Sequence, residues 1–139
     1  AAARQCAEWA QGINYAGDRA MYESAQQDRQ GLLIWMSHPA WPSMVWQTYD
    51  YYLEPTAAYF GARKACEPLH IMYNAHTRKV QVVNITPVTH CDMEALIETI
   101  NMRGRVIRTD SRWLDAYLDA TTDLPAVRMP DSLSEGYLG

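Results

Sequence analysis

The sequence predicts an α+β chain in two parts: a helix–strand–loop–helix segment over residues 1–68, then a series of short strands over residues 69–139. Three observations carry this reading. An apolar rhythm of three- and four-residue steps opens the chain. An apolar run without alternation follows, closed by two nearby prolines. Past Pro68 the composition shifts from Ala, Trp and Tyr toward Val, Ile, Thr and Asp. The length of 139 residues, with 48% hydrophobic and 20% charged side chains, suits one ordinary globular domain or parts of two.

Residues 3–28 read as a helix. Cys6, Trp9, Ala10, Ile13, Ala16, Ala20 and Met21 recur on one stripe, and the small residues among them suit close packing on a sheet. Leu32-Leu33-Ile34-Trp35 then fits a strand buried on both sides, as in a parallel sheet. The loop SHPAWPS follows, since Pro39 and Pro42 exclude helix and central strand. In α/β folds the carboxyl end of such a strand is the edge where ligands bind. Residues 44–53 fit neither period. Residues 56–66 read as a second helix, started by Pro55-Thr56 and ended by Glu67-Pro68.

Residues 69–74 and 79–86 read as two strands joined by the polar turn Ala75–Arg78. Val80, Val82 and Asn84 share one face of the second. From Cys91 to Ser111 the pattern is mixed, but Asn101-Met102-Arg103-Gly104 before Arg105-Val106-Ile107 favours a hairpin of two strands. Residues 124–130 are a candidate fifth strand. Four or five short strands at this spacing suggest an immunoglobulin-like sandwich, which normally has about seven strands, so this one reads as incomplete.

Composition and motifs bound the chemistry. A formal net charge of −4 gives no electrostatic reason to expect nucleic acid or an anionic membrane surface. No apolar run approaches the ~18 residues of a membrane span. Cys6, Cys66 and Cys91 form no CxxC pair and are expected to be small buried hydrophobes; no metal site and no cofactor is expected. His38, His70, His76 and His90 share no ligand spacing, and only His38 lies on the expected ligand edge. The acidic side chains of the first half are Glu8, Asp18, Glu23, Asp28, Asp50, Glu54 and Glu67. The first four sit on the opening helix, where solvation is the ordinary state, and nothing in the spacing pairs any two. Five Trp and nine Tyr against one Phe suit interfaces and sugar-facing clefts as well as a core.

The segments WAQGINYAGDRAMYES (9–24), GLLIWMSHPAWPSMVWQTYDYYLEPTAAYFGARKACEPLHIMYN (31–74) and VQVVN (80–84) together resemble glycoside hydrolase family 2, in its exo-β-D-glucosaminidase and mannosylglycoprotein endo-β-mannosidase branch. The likeness spans roughly residues 4–110, with 31–70 the most specific part. It implies that residues 1–68 are the C-terminal segment of a (β/α)8 barrel, with 3–28 its seventh helix and 31–36 its eighth strand. Residues 69–139 would then be part of the β-sandwich that follows the barrel.

The family's acid/base and nucleophile would lie upstream of Ala1, so no catalytic residue is expected in this chain. The substrate-binding residues implied are Trp35, under the sugar, with His38 and Trp41 in the same loop. His38 stands where many relatives have Asn. A non-proline cis peptide is expected at Trp35–Met36, because related barrels bend there. The implied partner is a β-linked carbohydrate, and the implied parent is a secreted or periplasmic retaining glycosidase. The chain lacks an initiator Met and reads as a piece of something longer. Missing barrel strands would leave the stripe of residues 6–21 and the flanks of Leu32–Ile34 uncovered, with self-association as the consequence. From another class, a carbohydrate-binding or interaction module without catalysis also fits the Trp loop.

Overall fold

In a computed structural model the described residues are 2–27, 31–44, 46–101 and 103–126. They contain two helices followed by five strands, and the chain divides into two compact units, Ala1–Glu67 and Pro68–Gly139.

In the first unit, α1 spans Ala2–Gln27. Its alanines favour helix, and Arg4–Glu8 (3.0 Å) and Arg19–Glu23 (2.7 Å) add ion pairs at the four-residue step. Residue 28, the expected last helical position, lies outside the described residues. The second helix, α2, spans Ala57–Ala65, within the expected 56–66. Its N-cap Thr56 does not cap with its side chain; the hydroxyl donates to the Gln47 carbonyl at 2.6 Å. Gln11 of α1 reaches across to accept the Ala57 N–H at 2.8 Å.

The helices meet on a face other than the apolar stripe. Cys6, Trp9, Ala10, Ile13, Ala16, Ala20 and Met21 are all exposed, whereas Asn14, Tyr15, Asp18, Arg19, Tyr22 and Glu23 are buried or half-buried. The reason lies in α2, where Ala58, Gly61 and Ala65 form a shallow buried face. A Cβ at Gly61 would collide with the Tyr15 carbonyl, so the missing side chain sets how near α2 comes to α1. The exposed stripe agrees with the expectation of an uncovered face.

The expected strand at Leu32–Trp35 does not form: residues 31–36 are in no strand, and Leu33 is 99% exposed. Apolar content alone does not make a strand; it needs a hydrogen-bonded neighbour, and among the described residues of this unit the only bridge is the isolated Tyr49–Pro55 pair. The Trp35–Met36 peptide is cis, as expected. The ambiguous residues after the proline loop form an irregular return in which the Ser37 carbonyl accepts the Tyr49 N–H (3.0 Å) and the Thr48 hydroxyl (3.1 Å).

In the second unit, β1 (Leu69–Asn74), β2 (Lys79–Asn84) and β5 (Ala120–Ala126) form an antiparallel sheet with β2 at its centre. β3 (His90–Ile100) and β4 (Val106–Ala116) form a separate antiparallel pair. The expected hairpin is present: the Asn101 side-chain oxygen accepts the N–H groups of Arg103 and Arg105, each at 3.0 Å, and Gly104 takes a φ of 75°. The fifth strand starts four positions before the expected 124, and 127–130 lie outside the described residues. Val80, Val82, Ala95, Ala116 and Leu124 make the core, flanked by Leu69, Met93, Ile97 and Leu114.

Asn84 is fully buried and fully bonded. Its amide donates to the carbonyls of Val88 (2.9 Å) and Ala116 (2.8 Å). Its oxygen accepts the Thr86 N–H (2.9 Å) and hydroxyl (2.6 Å). The three cysteines are free and exposed, contrary to the expected burial: Cys6 belongs to the open stripe of α1, Cys66 follows α2, and Cys91 lies near the β3 bulge.

Candidate functional site

The first unit displays its aromatic side chains on the loop that the sequence singles out. Trp35 is 84% exposed, so its indole is open to a ligand. It lines a cleft of about 240 Å³ together with Asp18 and Met21 of α1, Leu32, Leu33, Ile34, Trp46 and Thr48. Trp46 is also mostly exposed. Thr48 is held by its bond to Ser37, which ties one lining residue of the cleft to the loop after Trp35.

The other two expected residues do not line this cleft. His38 is exposed; its Nε2 lies 3.4 Å from the Tyr51 carbonyl oxygen, and its ring is near-parallel to that of Tyr51 with centroids 6.4 Å apart. Trp41 is exposed and lines neither this cleft nor the one described next. A second, more polar cleft of about 390 Å³ is lined by Gln11, Asn14, Ser43, Asp50, Glu54 and Thr56, among others. Its Asp50 carboxylate closes its own turn by accepting the N–H groups of Tyr52 (2.8 Å) and Glu54 (3.0 Å), which gives that carboxylate a structural task.

Asp18 is the residue that sequence reasoning passed over. It is only 9% exposed, and it has no hydrogen-bond or ion-pair partner among the described residues. Burial pushes its carboxyl above the usual carboxylate range. Tyr22, one turn on, is pushed up as well, first by burial and then by Cys66 and Asp18. The one available signal was position: Asp18 follows Asn14 by four on the face opposite the apolar stripe, a face with its own aromatic residues, Tyr15 and Tyr22. Trp46 stood in the ambiguous segment, where no period assigned it a face. Among the described residues no group of three or more His, Cys, Asp or Glu side chains converges as a metal site would, and no helix is long and apolar enough to cross a membrane.

Comparison with known proteins identifies what the chain is similar to. No protein-family model matches the chain. An exo-β-D-glucosaminidase of Hypocrea jecorina is 33% identical over 104 residues, 70% of this chain and 12% of that protein. An exo-β-D-glucosaminidase of Streptomyces avermitilis is 37% identical over 102 residues, 68% of this chain and 11% of that protein. A mannosylglycoprotein endo-β-mannosidase of Lilium longiflorum is 36% identical over 101 residues, 70% of this chain and 11% of that protein. Among solved structures, the exo-chitosanase CsxA of Amycolatopsis orientalis superposes with a TM-score of 0.76 at 32% identity, covering 88% of this chain and 16% of the enzyme. The chain belongs to glycoside hydrolase family 2. It spans about a tenth of the length of the curated relatives it matches. One solved CsxA complex holds PNP-β-D-glucosamine.

Proposed function

We propose that this chain supplies one wall of the sugar pocket of a retaining family 2 glycoside hydrolase acting on β-linked amino sugars or mannosides. In this reading residues 1–68 are the C-terminal segment of the (β/α)8 barrel and residues 69–139 part of the β-sandwich that follows. The catalytic carboxylates belong to other parts of the whole enzyme. Trp35, His38 and Trp41 are the substrate-binding residues. The observation that carries the reading is the open indole of Trp35 at a cleft, in a chain 32% identical to a glucosaminide-binding enzyme over most of its length. An indole face suits the apolar C–H face of a pyranose, while hydroxyl-bearing edges need polar partners around it.

The chemistry of the whole enzyme in this reading is double displacement. One carboxylate attacks the anomeric carbon to form a glycosyl-enzyme, and a second group, first an acid and then a base, serves the leaving oxygen and the water. That requires two carboxyls about 5–5.5 Å apart. Within this chain Asp50 closes a turn and Asp18 lies in the indole cleft, and neither is assigned to that pair. The test has two arms on the full chain: hydrolysis of aryl β-glycosides, and saturable binding of β-glycosides. Binding without hydrolysis, weakened by Trp35→Ala and Trp41→Ala, is the expected result. Hydrolysis by the chain alone would overturn the placement of the carboxylates.

A further inference from the structure

Trp35 stands on a segment with little of its own to hold it. Residues 31–36 belong to no strand, and Leu33 and Trp35 are both open to solvent. Among the described residues, the hydrogen bonds that tie residues 31–37 to the rest of the first unit all end on one atom, the Ser37 carbonyl oxygen. It accepts the Thr48 hydroxyl at 3.1 Å and the Tyr49 N–H at 3.0 Å. Thr48 is buried and is fixed from its other side as well. Its carbonyl accepts the Thr56 N–H at 3.0 Å, and the Thr56 hydroxyl donates to the Gln47 carbonyl at 2.6 Å. Thr56 is the N-cap of α2, so a continuous run of hydrogen bonds leads from α2 through Thr48 to the second residue after Trp35. The Tyr49 ring adds a contact with Tyr59 of α2, with centroids 5.4 Å apart.

We infer that Thr48 is a positioning residue for the indole of Trp35, its hydroxyl holding the loop in the geometry that receives a sugar. The inference rests on the proposed sugar-binding role of Trp35 and adds the residue that orders it. A backbone segment without ladder bonds keeps conformational freedom that a ligand must remove on binding. A bond already made in the free protein lowers that cost, so affinity rises without any new contact to the ligand. Of the two donors on the Ser37 carbonyl, the Tyr49 N–H is main chain, and only the Thr48 hydroxyl depends on a side chain. The β-branched side chain of Thr48 has few staggered positions, which aims the hydroxyl in advance. Thr48 also lines the Trp35 cleft, so its hydrogen bond acts at the site itself.

The experiment titrates the full chain and its Thr48 variants with methyl β-D-glucosaminide by calorimetry, with thermal unfolding measured alongside. Thr48→Val keeps the branched shape and removes the hydroxyl, while the Tyr49 N–H still satisfies the Ser37 carbonyl. It is expected to bind about fivefold more weakly than the native chain. Thr48→Ser keeps the hydroxyl and is expected to bind with close to native affinity. In ligand-free chain labelled with fluorotryptophan, the fluorine NMR signal that Trp35→Ala removes is expected to move in Thr48→Val and to stay in place in Thr48→Ser. Unchanged affinity of Thr48→Val, with or without a lowered unfolding midpoint, overturns the inference, and so does an unmoved Trp35 signal. Thr48→Ser as weak as Thr48→Val overturns it also, since the methyl group and not the hydroxyl would then matter. If Thr48→Val does not fold, Thr48→Ala is compared with Thr48→Ser, and equal affinity of those two overturns the inference. Trp35-dependent binding that ignores the Thr48 hydroxyl leaves the sugar-wall reading intact, whereas absence of any Trp35-dependent binding overturns both.

Discussion

Gly61 offers a test in which helix propensity and packing point in opposite directions. In an exposed helix interior, Gly→Ala gains about 1 kcal/mol. At Gly61 the new Cβ would meet the Tyr15 carbonyl oxygen, with the Tyr15 carbonyl carbon at 3.1 Å and Cα at 3.2 Å. These are backbone atoms of α1, so no rotamer change clears them and the helices must part. Overpacking of this kind costs about 1–3 kcal/mol. Backbone against backbone belongs at the upper end, so the net loss after the helix gain is about 1–2 kcal/mol. Gly17 provides the control: it lies on the open stripe of α1 with nothing within 4 Å, so Gly17→Ala is expected to gain up to about 1 kcal/mol. The two variants should therefore differ by about 2–3 kcal/mol. Thermal unfolding followed by far-ultraviolet circular dichroism resolves this, at about 4–8 °C per kcal/mol for a unit of this size. A Gly61→Ala chain as stable as the native one would refute the close approach of α2 to α1.

Asn84→Ala removes the bonds to Val88, Ala116 and Thr86 at a fully buried position, and chemical denaturation is expected to show a loss of about 3 kcal/mol. Leu53 is mostly exposed and has a φ of 66°, so Leu53→Gly is expected to gain up to about 1 kcal/mol in the same assay. Asp18 has a folded-state pKa raised by burial, so its contribution favours folding below the ordinary carboxylate range and is lost as pH rises through the folded value. Asp18→Asn should thus be more stable than native chain at neutral pH, with the difference vanishing below about pH 4. Asp123 has the opposite sign. Hydrogen bonds from Gln81 and Lys79 lower its pKa, so its small contribution is present above about pH 4 and lost on acidification, and Asp123→Asn should flatten that limb of the stability–pH curve.

The elements that the sequence made legible are those whose causes are local. The β3–β4 hairpin follows from Asn101 and Gly104 in its turn, and α2 from Pro55-Thr56 before it and Glu67-Pro68 after it. What depended on partners distant in sequence was not legible. Leu32–Trp35 has strand composition but no neighbouring strand among the described residues. The packed face of α1 was decided by a glycine 46 positions after Tyr15, not by the hydrophobicity of α1 itself. β5 began early because Ala120, Thr121 and Thr122 pair with Asn84, Val83 and Val82, and its Pro125 is tolerated on an edge strand. The candidate site divides along the same line. The loop after the apolar run was identifiable from Pro39 and Pro42, whereas Trp35 itself was singled out by what the family resemblance implies. Asp18 looked like any solvated helical carboxylate until the fold buried it beside that indole.

The most direct test of a sugar-binding wall is a titration of the full chain and its Trp35→Ala variant with methyl β-D-glucosaminide, read by calorimetry. Saturable binding by the native chain, weakened by about tenfold or more in the variant, is the expected result. Equal affinity of the two chains, or no saturable binding by the native one, would contradict the assignment of Trp35 to the sugar pocket.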